Sequence, residues 1–216
     1  YQFTPHDVWD WDATQQPVLA DVTIGGQPRK VMLFANRNGF FYVLDRATGK
    51  VILAKPYIET TWAKEIGPDG RPVVLTNQQP SENGTRVCPD PTGGTNWMAP
   101  SFDPSQNLMF VTAREACGTF YTWTDEYNPG ERYTGGGVQR TGEKNYSALR
   151  AIDVTTGERK WELPYASQSW AGVMSTASGL VFAGSSGNFM AIDSKTGKSL
   201  WRYQMGAPLY TAAVTY

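Results

Sequence analysis

The sequence predicts an all-β protein made of repeated multi-stranded units, on three observations. The 216 residues include 22 glycines and 14 prolines, a turn density above that of average chains. They also include 8 Trp and 11 Tyr, too many for a disordered segment. Third, the chain repeats itself. Residues 151–161 read AIDVTTGERKW and residues 191–201 read AIDSKTGKSLW, a period of about 40 residues.

Each copy reads as an apolar strand, an Asp-x-x-Thr-Gly turn and a second strand. The Asp accepts hydrogen bonds from the backbone it turns around, and the Gly supplies the positive φ of a tight turn. Trp161 and Trp201 follow as apolar plates able to dock on a neighbouring unit. A weaker copy, YVLDRATGKVI, runs from Tyr42 to Ile52. A multi-stranded repeat of this length is the signature of a β-propeller blade.

Taken in order, HDVWDWD (residues 6–12) comes first. If extended, it places Asp10 and Asp12 on one face with His6 and Val8. Two close carboxylates suit a hard cation or a shared-proton acid/base pair. They equally suit a polar turn in which Asp caps backbone amides. A hairpin follows, Arg29–Asn36 and Gly39–Asp45, turning at Arg37-Asn38. An irregular insertion, about 59–144, is rich in Pro, Gly, Asn and Thr and holds a further strand pair near Asn107–Ala113. Excursions on a rigid scaffold commonly build the functional face. The last unit gives strands at Gly179–Gly184, Gly187–Asp193 and Ser199–Gln204. Cys88 and Cys117 lie in the insertion, either as two unrelated thiols or as a disulfide of an oxidising compartment.

Several classes are excluded. The net charge is −1, against a basic nucleic-acid binder. No apolar run is long enough for a membrane helix. His6 is the single histidine, so HExxH is absent. Gly197-Lys198-Ser199 lacks the upstream Gly of a phosphate loop, Ile192 standing there. There is no GxGxxG, GxSxG or CxxC. The chain starts in aromatic, strand-like sequence without a targeting segment and supplies only three to four blades. A piece of a larger protein is therefore expected.

TPHDVWDWDATQ, ANRNGFFYVLDRATGK, GGTNWMAPSFDP and the AxDxxTGxxxW repeats together resemble the quinoprotein alcohol dehydrogenases, in order across essentially all 216 residues. The resemblance implies part of an eight-bladed β-propeller, from the C-terminal half. It implies pyrroloquinoline quinone (PQQ) and a metal ion on the propeller axis. It makes Asp10 the catalytic base, taking the alcohol proton while hydride passes to the quinone C5. Asp10 and Asp12 become metal ligands. An Asp at position 12 is the lanthanide pattern, where calcium enzymes carry a small residue. Arg37 would reach the quinone oxygens, Asn96 would contact PQQ and Trp97 would line the same pocket. Gly93 and Gly94 would let the backbone approach, and Trp170 would border the axis. The Cys88–Cys117 spacing matches a disulfide seen in the family.

The resemblance further implies a small alcohol substrate, a periplasmic location and a c-type cytochrome or quinone as electron acceptor. The family's vicinal cysteine pair is missing, and its Glu and Asn metal ligands and Trp floor would precede residue 1. The isolated chain is therefore expected to bind neither PQQ nor metal tightly. Two other readings are a PQQ-dependent sugar or polyol dehydrogenase and a non-catalytic propeller scaffold for outer-membrane protein assembly. The scaffold has no use for Asp10, Asp12, Arg37 and Asn96 together.

Overall fold

A computed structural model of the chain describes residues 1–143 and 145–216. The predicted all-β architecture is present, as three four-stranded antiparallel sheets joined by shorter ribbons. The first sheet is a meander, β1 (Val18–Ile24), β2 (Gln27–Ala35), β3 (Phe40–Asp45) and β4 (Val51–Pro56), in that order. A ribbon of β5 (Ala63–Ile66) and β6 (Pro72–Val74) follows, then a 3-10 turn at Thr76–Gln78 and β7 (Thr85–Val87). Next come β8 (Ser101–Asp103), β9 (Leu108–Glu115), β10 (Gly118–Thr122), β11 (Gly136–Arg140), β12 (Tyr146–Asp153) and β13 (Arg159–Pro164). The second sheet has the order β13-β12-β9-β8. The third is β14 (Met174–Ser175), β15 (Leu180–Ser185), β16 (Asn188–Asp193) and β17 (Ser199–Gln204).

Strand alternation explains how the sheets stack. On β3, Phe41 and Val43 point to one side and join Leu33 with Met109, Val111 and Ile152 of the second sheet. Phe40, Tyr42 and Leu44 point to the other and meet Trp9, Trp11 and Trp62. The central strand is therefore apolar at nearly every position, as a strand covered on both faces must be. The second sheet repeats the arrangement. Phe110, Leu149 and Ala151 face Val181, Ala183 and Ile192 of the third.

The repeated turn does what its residues dictate. Asp45 Oδ1 accepts bonds from the Ala47 and Thr48 amides and from the Thr48 hydroxyl. Asp193 does the same with Lys195 and Thr196. Asp153 departs from the pattern by taking both bonds from Thr155. The closing glycines have φ of 70°, 75° and 73° at Gly49, Gly157 and Gly197. The docking plates then follow. Trp161 donates through Nε1 to the Ser194 carbonyl at 3.0 Å. A Cβ at Gly197 would sit 2.6 Å from its ring. In the first sheet Leu53 holds the equivalent place, within 3.2 Å of a Cβ at Gly157. Trp201, on the far strand of the third sheet, stays 49% exposed.

The stretch 59–144 is not one continuous excursion, because β8 and β9 inside it belong to the second sheet. Its last residue, Lys144, lies outside the described residues. Two excursions flank those strands and join each other. β7 pairs with β10 through Val87–Gly118 and Thr85–Phe120. Cys88 and Cys117 form the disulfide, with Cα atoms 4.3 Å apart. Residues 6–12 are not an extended strand, and this corrects the expectation for them. His6 and Asp10 have left-handed φ of 54° and 67°. The segment is a turn-rich arm lying over the aromatic cluster of the first sheet.

Candidate functional site

The arm owes its shape to Asp7. Its two carboxylate oxygens accept the amides of Trp9 at 2.8 Å and Trp11 at 2.6 Å. That closes a local loop and sends both indoles inward. They stack at 4.9 Å and 17° and flank Trp62. Each buried indole N–H finds a carbonyl, Gln78 at 3.1 Å for Trp9 and Asp90 at 3.0 Å for Trp11. With its neighbours buried and its own φ positive, Asp10 is turned outward, its side chain 74% exposed. Asp12 is exposed as well. Burial raises the Asp7 carboxyl above the ordinary carboxylate range, and the Asp10 and Asp12 charges raise it further. The amides of Trp9 and Trp11 oppose that rise.

The β2–β3 turn presents Arg37. Asn36 and Asn38 fix it by local bonds, Asn36 Oδ1 accepting the Asn38 amide and Asn38 Oδ1 accepting the Phe40 amide. The Asn38 Nδ2 donates to the Tyr42 hydroxyl at 3.0 Å, and its carbonyl accepts Trp62 Nε1 at 2.8 Å. Arg37 is thus held nearly buried, its Nη2 donating to the Pro91 carbonyl and lying 3.9 Å from Asp10 Oδ2. Its Nε is buried without a partner.

The third wall is the loop from Pro89 to Trp97. Gly93 packs directly on Arg37, where a Cβ would lie 2.7 Å from the Arg37 carbonyl oxygen. The Gly94 amide donates to that same oxygen at 3.0 Å. Asn96 donates from Nδ2 to the Thr92 carbonyl at 3.0 Å, and its Oδ1 accepts the Trp97 amide. That oxygen also receives the Thr14 hydroxyl at 3.3 Å, while the Thr14 amide donates to Asp12 O at 2.9 Å. Trp97, 51% exposed, lies flat against Trp170 at 4.7 Å and 10°.

The structure therefore joins Asp10 to Arg37 by charge, and Asp12 to Asn96 through Thr14. It places Trp97 beside Trp170 at the end of the same loop. Residue patterns did not single out Asp7, Thr14 or Asp90. Asp90 is fully buried, paired with Arg114 on β9 and, at 3.3 Å, with Arg140 on β11. It also carries the carbonyl that receives Trp11. Only the Asp-x-Trp spacing of Asp7 carried a sequence signal, as an Asx turn. Chemically, Asp10 and Asp12 are the exposed carboxylates of the arm, and among the described residues the one guanidinium within ion-pair reach of Asp10 is that of Arg37. Open carboxylate oxygens with so little compensation fit a hard, oxygen-seeking cation. The guanidinium and the flat exposed indole fit an anionic aromatic group.

Residues 1–61 match the family described as PQQ, glucose/ethanol/alcohol dehydrogenase, β-propeller domain. The whole chain is 34% identical over 225 residues to the lanthanide-dependent methanol dehydrogenase of Methylacidiphilum fumariolicum (strain SolV). It is 36% identical over 230 residues to a quinoprotein ethanol dehydrogenase of Pseudomonas putida. The chain belongs to the quinoprotein alcohol dehydrogenase family. It spans 37% of the length of each of those two curated relatives. Solved structures of the family agree. A europium-containing methanol dehydrogenase superposes with a TM-score of 0.90 at 34% identity, covering 98% of this chain and 38% of that one. The quinohemoprotein alcohol dehydrogenase from Comamonas testosteroni gives 0.91 at 31%, covering 100% and 34%.

Proposed function

We propose that this chain forms part of a PQQ-dependent alcohol dehydrogenase, with Asp10 as the base that removes the alcohol proton. The observation that carries this reading is the placement of Asp10. Its carboxylate is open to the outside, held by a left-handed backbone, and 3.9 Å from a nearly buried Arg37. PQQ, when bound with its cation, supplies a polarised carbonyl that accepts the two electrons of the alcohol as a hydride. Asp10 receives the hydroxyl proton as the aldehyde forms, with Arg37 as its neighbouring counter-charge. Arg37 and Asn96 would hold the oxygens of PQQ, and Trp97 would line its pocket. Asp10 and Asp12 would hold the ion. The second carboxylate favours a trivalent lanthanide over calcium, because a higher charge better offsets two anionic ligands. Electrons would pass on to a c-type cytochrome or a quinone. The buried disulfide suits an oxidising compartment such as the periplasm.

The test is alcohol oxidation by the holoenzyme with an artificial acceptor, with lanthanum or calcium supplied separately. Activity restored by lanthanum supports the role of Asp12, and activity with calcium that lanthanum leaves unchanged refutes it. Asp10→Asn is expected to lower kcat by about 100-fold or more while PQQ absorbance stays with the protein. Full turnover in that variant removes Asp10 from the mechanism.

A further inference from the structure

A cleft of about 780 Å³ opens beside Asp10. That is the size of sites that enclose whole organic ligands, far above the need of a one- or two-carbon alcohol. Its walls come from the arm (Trp9, Asp10) and from the second excursion (Phe120, Tyr121, Arg132, Val138). Gly135, Gly136 and Gly137 line it without side chains, which keeps it wide. Gly136 is also required by packing, since a Cβ there would lie 2.7 Å from the Tyr121 carbonyl oxygen.

Charge in this cleft is sparse and ordered. Among the described residues, Asp10 and Arg132 are its only charged lining residues, one of each sign. Asp10 already has Arg37 as counter-charge. Arg132 has no carboxylate partner among the described residues. The loop that carries it is closed at its base, the Trp123 amide donating to the Gly135 carbonyl at 3.0 Å. Beside it, Tyr133 meets Tyr127 edge-on at 6.3 Å. Trp9, Phe120 and Tyr121 are the aromatic members of the same lining.

We propose that this cleft is the substrate site and that it selects alcohols with an aromatic body and an anionic group, the anion held by Arg132. This rests on Asp10 receiving the alcohol proton. The hydroxyl end lies at Asp10, the ring lies against Trp9, Phe120 and Tyr121, and the carboxylate reaches the guanidinium. Arg132 is a specificity determinant and takes no part in proton or hydride transfer.

The test compares 4-(hydroxymethyl)benzoate with benzyl alcohol as substrates of the holoenzyme. Benzoate binding, followed by indole fluorescence, reads the anion site without turnover. The native enzyme is expected to favour the anionic alcohol. In Arg132→Gln the ratio of kcat/KM, anionic over neutral, should fall roughly ten-fold or more, through KM, with a parallel loss of benzoate affinity. Arg132→Lys should recover part of both. An unchanged ratio, or benzoate that fails to bind the native enzyme, overturns the inference. Both alcohols oxidised at that unchanged ratio would leave the dehydrogenase reading standing and remove the anion site. Benzoate binding that depends on Arg132, with neither these alcohols nor ethanol oxidised, would uphold the anion site and overturn the dehydrogenase reading; ethanol oxidised while both aromatic alcohols are refused would overturn the inference alone.

Discussion

At the scale of single residues, Asp7 shapes the site without being one of its open groups. Two backbone amides converge on one carboxylate, and the chain must then bury Trp9 and Trp11 and expose Asp10. Asp7→Ala leaves both amides without their acceptor. It is expected to cost about 1–3 kcal/mol, because buried donors lose charge-assisted bonds. Urea unfolding measures the cost, and near-UV circular dichroism reports the stacked indoles. An unchanged midpoint and spectrum would show that packing alone places the tryptophans. Asn38 has a similar role on the neighbouring turn. It bonds Phe40, Tyr42 and Trp62, so the Arg37 backbone has little freedom.

At the scale of elements, the Asp-x-x-Thr-Gly turns make stability depend on pH. The Thr48 hydroxyl and amide hold the Asp45 carboxyl below the ordinary carboxylate range, and the Thr196 hydroxyl and amide do so for Asp193. A pKa depressed in the folded state adds stability that is fully present above the unfolded value of about 3.9. That contribution is lost as pH falls through the lower folded value. The double variant Asp45→Asn, Asp193→Asn is expected to show a flatter loss of stability below about pH 4. Urea midpoints at successive pH values measure it, and parallel acid limbs in the two proteins would contradict the assignment. The two excursions form another element-scale unit. The Cys88–Cys117 bridge closes a loop with a sequence separation of 29. Replacing both cysteines by serine should cost about 3–4 kcal/mol through the unfolded chain's entropy. Comparison of thermal unfolding with and without the bridge gives the value.

At the scale of the whole molecule, stability comes from sheets stacked face to face. Trp161 covers Gly197 of the next sheet and donates to Ser194, whereas Trp201 occupies the same repeat position half in solvent. In this 216-residue chain, Trp161→Ala should cost about 3 kcal/mol and Trp201→Ala under about 1 kcal/mol. Equal costs would mean that the plates act within their own sheets. The same stacking carries the buried Arg150. It pairs with Glu115 at 2.8 Å and Glu162 at 2.6 Å and donates to the Tyr57 carbonyl between the first and second sheets.

The amino-acid sequence by itself determined the strands, the turns and the repeat. Alternation of apolar residues and the Asp, Thr and Gly of each turn act over a few residues, so local sterics and hydrogen bonds suffice. It also pointed to Asp10, Asp12, Arg37, Asn96 and Trp97 as candidates, since they stand in motifs that resemble those of a known family. Only the tertiary structure decided that Asp10 lies beside Arg37, that Thr14 bridges Asp12 and Asn96, and that Asp90 anchors the loop between them. It decided, too, that two separate excursions are one stitched wall around a cleft. Those contacts join residues far apart in the chain. Their distances are set by how whole sheets stack, which no short-range pattern encodes.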